Sequence, residues 1–354
     1  MKVRILALAS LLALSACDSS QAPAPAAKQP QAKIEAVKVV EPAAKPQHPD
    51  VPEGMDALPA TAPEPADNPT TEAKVNLGKK LYFEPALSRS GQFSCNSCHN
   101  LGTFGVDNQK TSIGHKWQRG GRNAPTVLNS AFWSRQFWDG RAPLLEDQAK
   151  GPPLNPVEMA SEDEAEVMDR LRTAGYGPLF NSVFGENALT YDNMARAIAA
   201  FERTLLTPNA MFDRYARGES GMSEAAMRGM QKVDEAGCLA CHSGPLFTNN
   251  TFQKFAYGSD EGLKAVTGKE EDDHVFRVQS WRNVAMTAPY FHDGSAATLD
   301  EAVRIMAKTQ LDTELSDQDV ADIVAFLETL TGEPPEIGFP ILPRPAGHAL
   351  PWRD

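Results

Sequence analysis

Beyond Leu14 the sequence contains no apolar run approaching the ~20 residues that a bilayer-spanning helix needs, and the run from Ile5 to Leu14 is itself too short. That disfavours a transmembrane anchor. Basic residues are not in excess: 34 Lys and Arg stand against 46 Asp and Glu, for a formal net charge of −12. Nucleic acid and anionic membrane surfaces are therefore poor candidate partners. Alternating apolar and polar strand patterns are scarce, so little sheet is expected. Cysteine is scarce as well, and none of the five is spare. Cys17 follows Leu14-Ser15-Ala16, and the other four form Cys95-Asn96-Ser97-Cys98-His99 and Cys238-Leu239-Ala240-Cys241-His242.

Lys2 and Arg4, the apolar run and Leu14-Ser15-Ala16-Cys17 have the layout of a secretory signal peptide. Leu14 at −3 and a cysteine at +1 suit a lipoprotein box better than plain secretion, which prefers small residues at −1 and −3. Residues 1–16 are thus read as a lipoprotein signal peptide and Cys17 as a lipidated residue that tethers the chain to a membrane in the periplasm. Residues 17–70 are rich in Ala, Pro, Gln and Lys with few large apolar residues, the composition of a disordered tether. The rest, roughly 280 residues, suits two domains. Their expected limits are 71–207 and 208–335, with 336–354 a tail packing back on the N-terminal domain.

Two Cys-x-x-Cys-His units point to two covalently attached c-type haems. On one helical turn, residues i and i+3 share a face, so both sulfurs reach the vinyl groups on one porphyrin edge while the next histidine ligates iron from below. A thioredoxin-like pair has no need of the adjacent histidine, and a four-cysteine zinc site would not space its pairs so far apart. Thioether formation consumes Cys95, Cys98, Cys238 and Cys241, leaving no disulfide to predict.

Helical periodicity dominates the remainder. Ser161-Glu162-Asp163-Glu164 and Thr298-Leu299-Asp300-Glu301 read as capping boxes. Met194, Ala197, Ile198, Phe201 and Leu205 keep helical spacing, as do Val320, Ile323, Val324, Leu327 and Leu330. The expected fold is mainly α: two cytochrome c-like haem domains in tandem, joined by long irregular loops.

An internal repeat supports the tandem. Arg122-Asn123 followed by Phe137-Trp138-Asp139-Gly140 is matched by Arg282-Asn283 followed by Phe291-His292-Asp293-Gly294. In the second copy Met306 lies thirteen residues beyond Asp293; the corresponding residue of the first copy is Pro152. Met306 is the expected sixth ligand opposite His242, with Met286 its main competitor and Met159 a weaker candidate for the first haem. Because thioether ligation raises haem potential relative to two imidazoles, the second haem is expected to accept electrons and the first to be a low-potential or open site.

The segments Phe104-Gly105-Val106-Asp107, Gly114-His115, Arg122-Asn123-Ala124-Pro125-Thr126, Phe137-Trp138-Asp139-Gly140-Arg141, Gln148, Asn155-Pro156-Val157-Glu158-Met159 and Pro289-Tyr290-Phe291-His292 resemble the bacterial dihaem cytochrome c peroxidases from about residue 75 to about residue 343. The resemblance implies reduction of hydrogen peroxide to water with two electrons from a small periplasmic donor, a cytochrome c or a cupredoxin. It implies that His99 is the proximal ligand of the peroxidatic haem and His115 a distal ligand, released in most members when the His242/Met306 haem is reduced. Glu158 would be the acid–base residue, Gln148 its peroxide-orienting neighbour, and Trp138 the tryptophan between the haems. Asn123 with the backbone carbonyls of Thr287 and Pro289 would hold Ca2+, and the assembly would be a homodimer.

Two rivals remain on the sequence alone. A dihaem electron carrier would not need Glu158 and Gln148 beside a haem lacking methionine. The related group that oxidises a protein substrate places tyrosine where this chain has Ile305-Met306-Ala307.

Overall fold

The computed structural model describes residues 48–344. The expected signal peptide, Cys17 and the first part of the tether lie outside the described residues. In chain order the helices are α1 (Glu72–Tyr82), α2 (Cys95–Cys98), α3 (Leu145–Ala149), α4 (Gly151–Leu154), α5 (Glu164–Thr173), α6 (Gly177–Phe184) and α7 (Tyr191–Glu202) in the first half. The second half holds α8 (Met211–Ala216), α9 (Glu224–Glu235), α10 (Lys264–Thr267), α11 (Leu299–Leu311) and α12 (Asp317–Glu328). Strands β1 (Phe252–Lys254) and β2 (Val275–Arg277) pair antiparallel, Gln253 opposite Phe276.

Each half is organised by one close helix crossing. Gly78 on α1 meets α7 so tightly that a Cβ there would lie 1.8 Å from the Ala197 carbonyl oxygen. Gly229 on α9 meets α12 in the same way, 1.8 Å from the Asp322 carbonyl oxygen. The crossings gather apolar helix faces into two cores. Leu77, Leu81, Phe180, Met194 and Ile198 belong to the first, and Phe212, Met230, Val233, Ile323 and Phe326 to the second.

The internal repeat reappears as backbone geometry, in a register that corrects part of the sequence alignment. Phe137 and Phe291 have φ of 69° and 70°, and Gly140 and Gly294 share φ 62°. The isolated bridges Gln136↔Ala142 and Tyr290↔Ala296 are equivalent too. All these pairs are 154 positions apart, as Phe137 is from Phe291. In that register Asn283 matches Asn129, not Asn123: both precede a short 3-10 turn with φ 62°. The shared Arg-Asn dipeptide at 122 and 282 is coincidental, since the left-handed backbone that asparagine tolerates occurs at 129 and 283.

Two further expectations are corrected. Helix α5 is capped by Asp163, whose carboxylate accepts from the Glu166 N–H at 2.8 Å, and Ser161 lies outside the helix. The tether does not extend to residue 70. Met55 is fully buried in the second core, the Leu58 N–H donates to buried Asp213 at 3.0 Å, and the Asp56 carbonyl accepts from Arg282 at 2.9 Å. Val51, Met55 and Leu58 supply the apolar anchors that the Pro- and Ala-rich average concealed. At the other end the chain returns to the first half: Phe339 packs edge-on against Phe83 at 5.1 Å, and Lys80 Nζ donates to the Ile341 carbonyl at 2.5 Å.

Because α1 and α7 touch through backbone at Gly78, Gly78→Ala forces the helices apart. Overpacking of this kind costs about 1–3 kcal/mol or more. The expected outcome is a lowered Tm in thermal unfolding of the holoprotein, against an unchanged Tm for Gly121→Ala, where a Cβ would meet nothing within 4 Å.

Candidate functional site

Both Cys-x-x-Cys segments are single turns that follow the glycine-bearing helices. Helix α2 starts after Ser94, whose N–H donates to Ser97 Oγ at 3.0 Å, and Cys238–Ala240 forms a 3-10 turn after Gly237, held at φ 85°. The histidine closing each turn directs Nδ1 at a backbone carbonyl, His99 at Pro125 (2.9 Å) and His242 at Phe247 (3.1 Å). A carbonyl can only accept, so Nδ1 carries the proton and Nε2 keeps its lone pair for a metal. Burial holds both imidazoles below the usual histidine range, His242 at about 4, which keeps them in the neutral form that ligation requires. Trp281 stacks on His242 at 4.3 Å and fixes the ring plane. The four thiols are unbridged and partly buried. This donor set fits two c-type haems.

A cavity of about 480 Å³ is lined by Cys238, Cys241 and His242 together with Met306 from α11. Met286 does not line it and is 43% exposed, while Met159 is buried in the first core beside Leu81 and Val167. Met306, unlike Met286 and Met159, lines the same cavity as His242. In the first half the counterpart of α11 is split into α3 and α4, with Pro152 and Pro153 in α4, so the methionine position is occupied by a residue that cannot ligate.

His115 and Glu158 are brought side by side. The His115 N–H donates to the Glu158 carbonyl at 2.9 Å. Gly114 lies so close to this segment that a Cβ would fall 2.2 Å from the Val157 carbonyl oxygen. His115 Nδ1 is buried without a hydrogen-bond partner, and the turn it opens holds Lys116 at φ 54° and Trp117 at φ 62°. Glu158 accepts from Asn155 Nδ2 at 2.8 Å. Burial raises its carboxyl above the usual range, with Arg141 opposing the rise. The Cys98 thiol is pushed up to about 11, chiefly by burial and with Asp107 and Glu158 as negative neighbours. Gln148 is half-buried on α3, and no hydrogen bond joins its side chain to Glu158.

Between the halves, Trp138 meets its own repeat counterpart, His292, edge-to-face at 6.3 Å. Two backbone hydrogen bonds cross there reciprocally, Asn123 N–H to His292 O (2.7 Å) and Arg277 N–H to Trp138 O (2.9 Å). Trp138 Nε1 also donates to the Asn123 carbonyl at 2.9 Å. Asn123, Thr287 and Pro289 line the same cavity, and the Asn123 side chain faces the Gln109 and Lys110 carbonyls at 3.0 and 3.5 Å. Among the described residues no group of three or more His, Cys, Asp or Glu could hold a metal ion, so a cation here would rest on neutral oxygens.

Sequence reasoning overlooked three features. His292 is 1% exposed, stacked on Phe276 at 4.3 Å, with neither ring nitrogen hydrogen-bonded. Its position opposite Trp138 in the repeat was the available signal. Trp281 on His242 and the Arg122 guanidinium, which joins Asp139 to Asp260, left no local pattern because their partners are distant in sequence.

Two half-buried imidazoles, each closing a Cys-x-x-Cys turn and oriented by a backbone carbonyl, with Met306 lining the same cavity as one of them, define a dihaem c-type cytochrome. The chain belongs to the di-haem cytochrome c peroxidase family, whose model matches residues 72–221. It is 45% identical over 299 residues to a cytochrome c551 peroxidase of Nitrosomonas europaea, covering 82% of this chain and 88% of that protein. It is 42% identical to a cytochrome c551 peroxidase of Pseudomonas aeruginosa, covering 81% and 86% respectively. The methylamine utilization protein MauG of Methylophilus methylotrophus is 35% identical over 80% of this chain and 90% of its own. Among solved structures, a MauG-like protein associated with microbial copper homeostasis superposes with a TM-score of 0.71 at 30% identity, covering 81% of this chain and 96% of that one. The protein is thus a peroxidase, an oxidoreductase that carries two c-type haems.

The shared cavity makes Met306 testable as a ligand. Met306→His should lower the reduction potential of one haem and leave the other in place, as read by spectroelectrochemical titration. A titration identical to wild type would remove Met306 from the ligand set.

Proposed function

We propose that this peroxidase reduces hydrogen peroxide to two molecules of water, taking two electrons from a small cytochrome c or cupredoxin and two protons from solvent. The observation that carries the reading is half-buried Glu158, whose backbone carbonyl holds the His115 N–H, in the half of the molecule that has Pro152 where the other half has Met306. When bound, the haem held by His242 and Met306 would take electrons from the donor, and the haem held by His99 would deliver them to peroxide.

The remaining roles belong to the chain. Glu158 accepts a proton from one peroxide oxygen and returns it to the other, and its raised carboxyl pKa brings that exchange closer to neutral pH. Because the charged form must accept the proton, turnover falls as pH drops through this raised value, above where an ordinary glutamate would lose it. Gln148 orients the substrate. Trp138 fills the space between the two sites and lies on the path between them. His115 would be the residue that holds the site of the His99 haem closed and gives way to substrate; the left-handed residues in its turn, at about 1–3 kcal/mol each, favour a loop with a second conformation. Asn123 and the carbonyls of Thr287 and Pro289 hold Ca2+ across the two halves, tying their orientation to the ion. The working form is a homodimer in the periplasm, held to a membrane by lipid on Cys17; among the described residues no helix is long and apolar enough to cross one.

Glu158→Ala should retain both haem spectra and lose peroxide turnover by about 10²-fold or more in a steady-state assay with a reduced cytochrome. Undiminished turnover would reject the acid–base role. Cys17→Ser should move the protein from the membrane fraction to the soluble periplasmic fraction on cell fractionation, and retention in membranes would reject lipidation.

A further inference from the structure

Arg277 is 1% exposed, and its guanidinium has no carboxylate partner among the described residues. The other arginine buried as deeply, Arg282, is held by Asp213 at 2.7 Å. Arg277 has instead one firm hydrogen bond, Nη2 to Gln279 Oε1 at 3.0 Å, and two long ones at 3.4 Å to the carbonyls of Phe137 and Val278. Burial with nothing to oppose it lowers the guanidinium to about 9. Its flat face lies 4.0 Å from the Trp133 ring, and Trp133 Nε1 is likewise buried without a partner. Both residues line the cavity that contains His242 and Met306. A buried guanidinium without an acid and a buried indole N–H without an acceptor, stacked on each other, form a seat for a carboxylate.

A c-type haem carries two propionate carboxylates. Arg277 ends β2, and two residues further on the Gln279 carbonyl neighbours His242, while Trp281 stacks on that imidazole. We propose that Arg277 and Trp133 bind a propionate of the haem attached at Cys238 and Cys241, Arg277 as a charge-bearing ion-pair partner and Trp133 as a hydrogen-bond donor. In the repeat register Asn123 occupies the position of Arg277, so the first haem has no corresponding fixed charge. The guanidinium favours the ferrous state, which carries one less positive charge, and raises the potential of one haem only. It thereby adds to the inequality that methionine ligation begins. This inference rests on His242 and Met306 facing each other across that haem.

The test is spectroelectrochemical titration of the holoprotein, with two haems per chain verified as the pyridine haemochrome and methionine ligation followed separately by its sulfur-to-iron charge-transfer band. Arg277→Gln should lower the midpoint of the methionine-ligated haem by about tenfold in its reduction equilibrium, ~59 mV for a one-electron couple, and leave the other haem unmoved. Arg277→Lys should retain most of the wild-type value. Trp133→Phe, which keeps the stack and removes the N–H, should give a smaller shift in the same direction. Unchanged midpoints in Arg277→Gln, or a shift confined to the other haem, would overturn the assignment. If Arg277→Gln yields no holoprotein, Trp133→Phe decides: an unchanged midpoint there overturns it. Loss of the charge-transfer band in wild type would instead count against Met306.

Discussion

The carbonyl oxygens of Ala197 and Asp322 occupy the places where side chains would begin on Gly78 and Gly229. Each contact brings two helix backbones closer than any other residue would allow; the second haem-attachment turn follows α9 within three residues, and the first follows α1 after a short 3-10 turn at Pro85–Leu87. The crossings gather the two cores against which the segments bearing His99 and His242 are built. A helix pair held by side-chain packing alone would tolerate variation in its spacing. One held by backbone against backbone does not, and that rigidity suits ligands whose geometry at iron must be kept.

The repeat relation between the halves brings equivalent positions face to face where they meet. Trp138 faces His292, Asn123 exchanges places with Arg277, and Thr207 Oγ1 accepts from both Asn129 (2.8 Å) and Asn283 (2.9 Å). Matching backbone bonds preserve the frame while the side chains on it have diverged. The divergence is chemical: indole against imidazole, amide against guanidinium, proline against methionine.

Legibility in the sequence followed distance along the chain. The haem turns, their histidines and the Thr298 cap of α11 are local patterns, and all of them could be read directly. Asp163 displaced Ser161 as a cap because two good capping residues lay two positions apart. The Arg-Asn dipeptide misled the alignment because identity of residues outweighed backbone conformation, which a sequence does not display. Residues 48–70 were hidden by an average: three apolar anchors among prolines and alanines suffice when a partner surface exists. The Arg277–Trp133 stack joins residues 144 positions apart, from Trp133 to Arg277, and required the folded chain to be seen.

The N-terminal segment from residue 48 is fastened to the second half, and the C-terminal segment up to residue 344 is fastened to the first. Each half therefore wears a strap belonging to the other. A cut near residue 207 would not release two independent cytochromes, since each fragment would leave part of its partner's wall behind. What began as a repeat has become a mutual clasp.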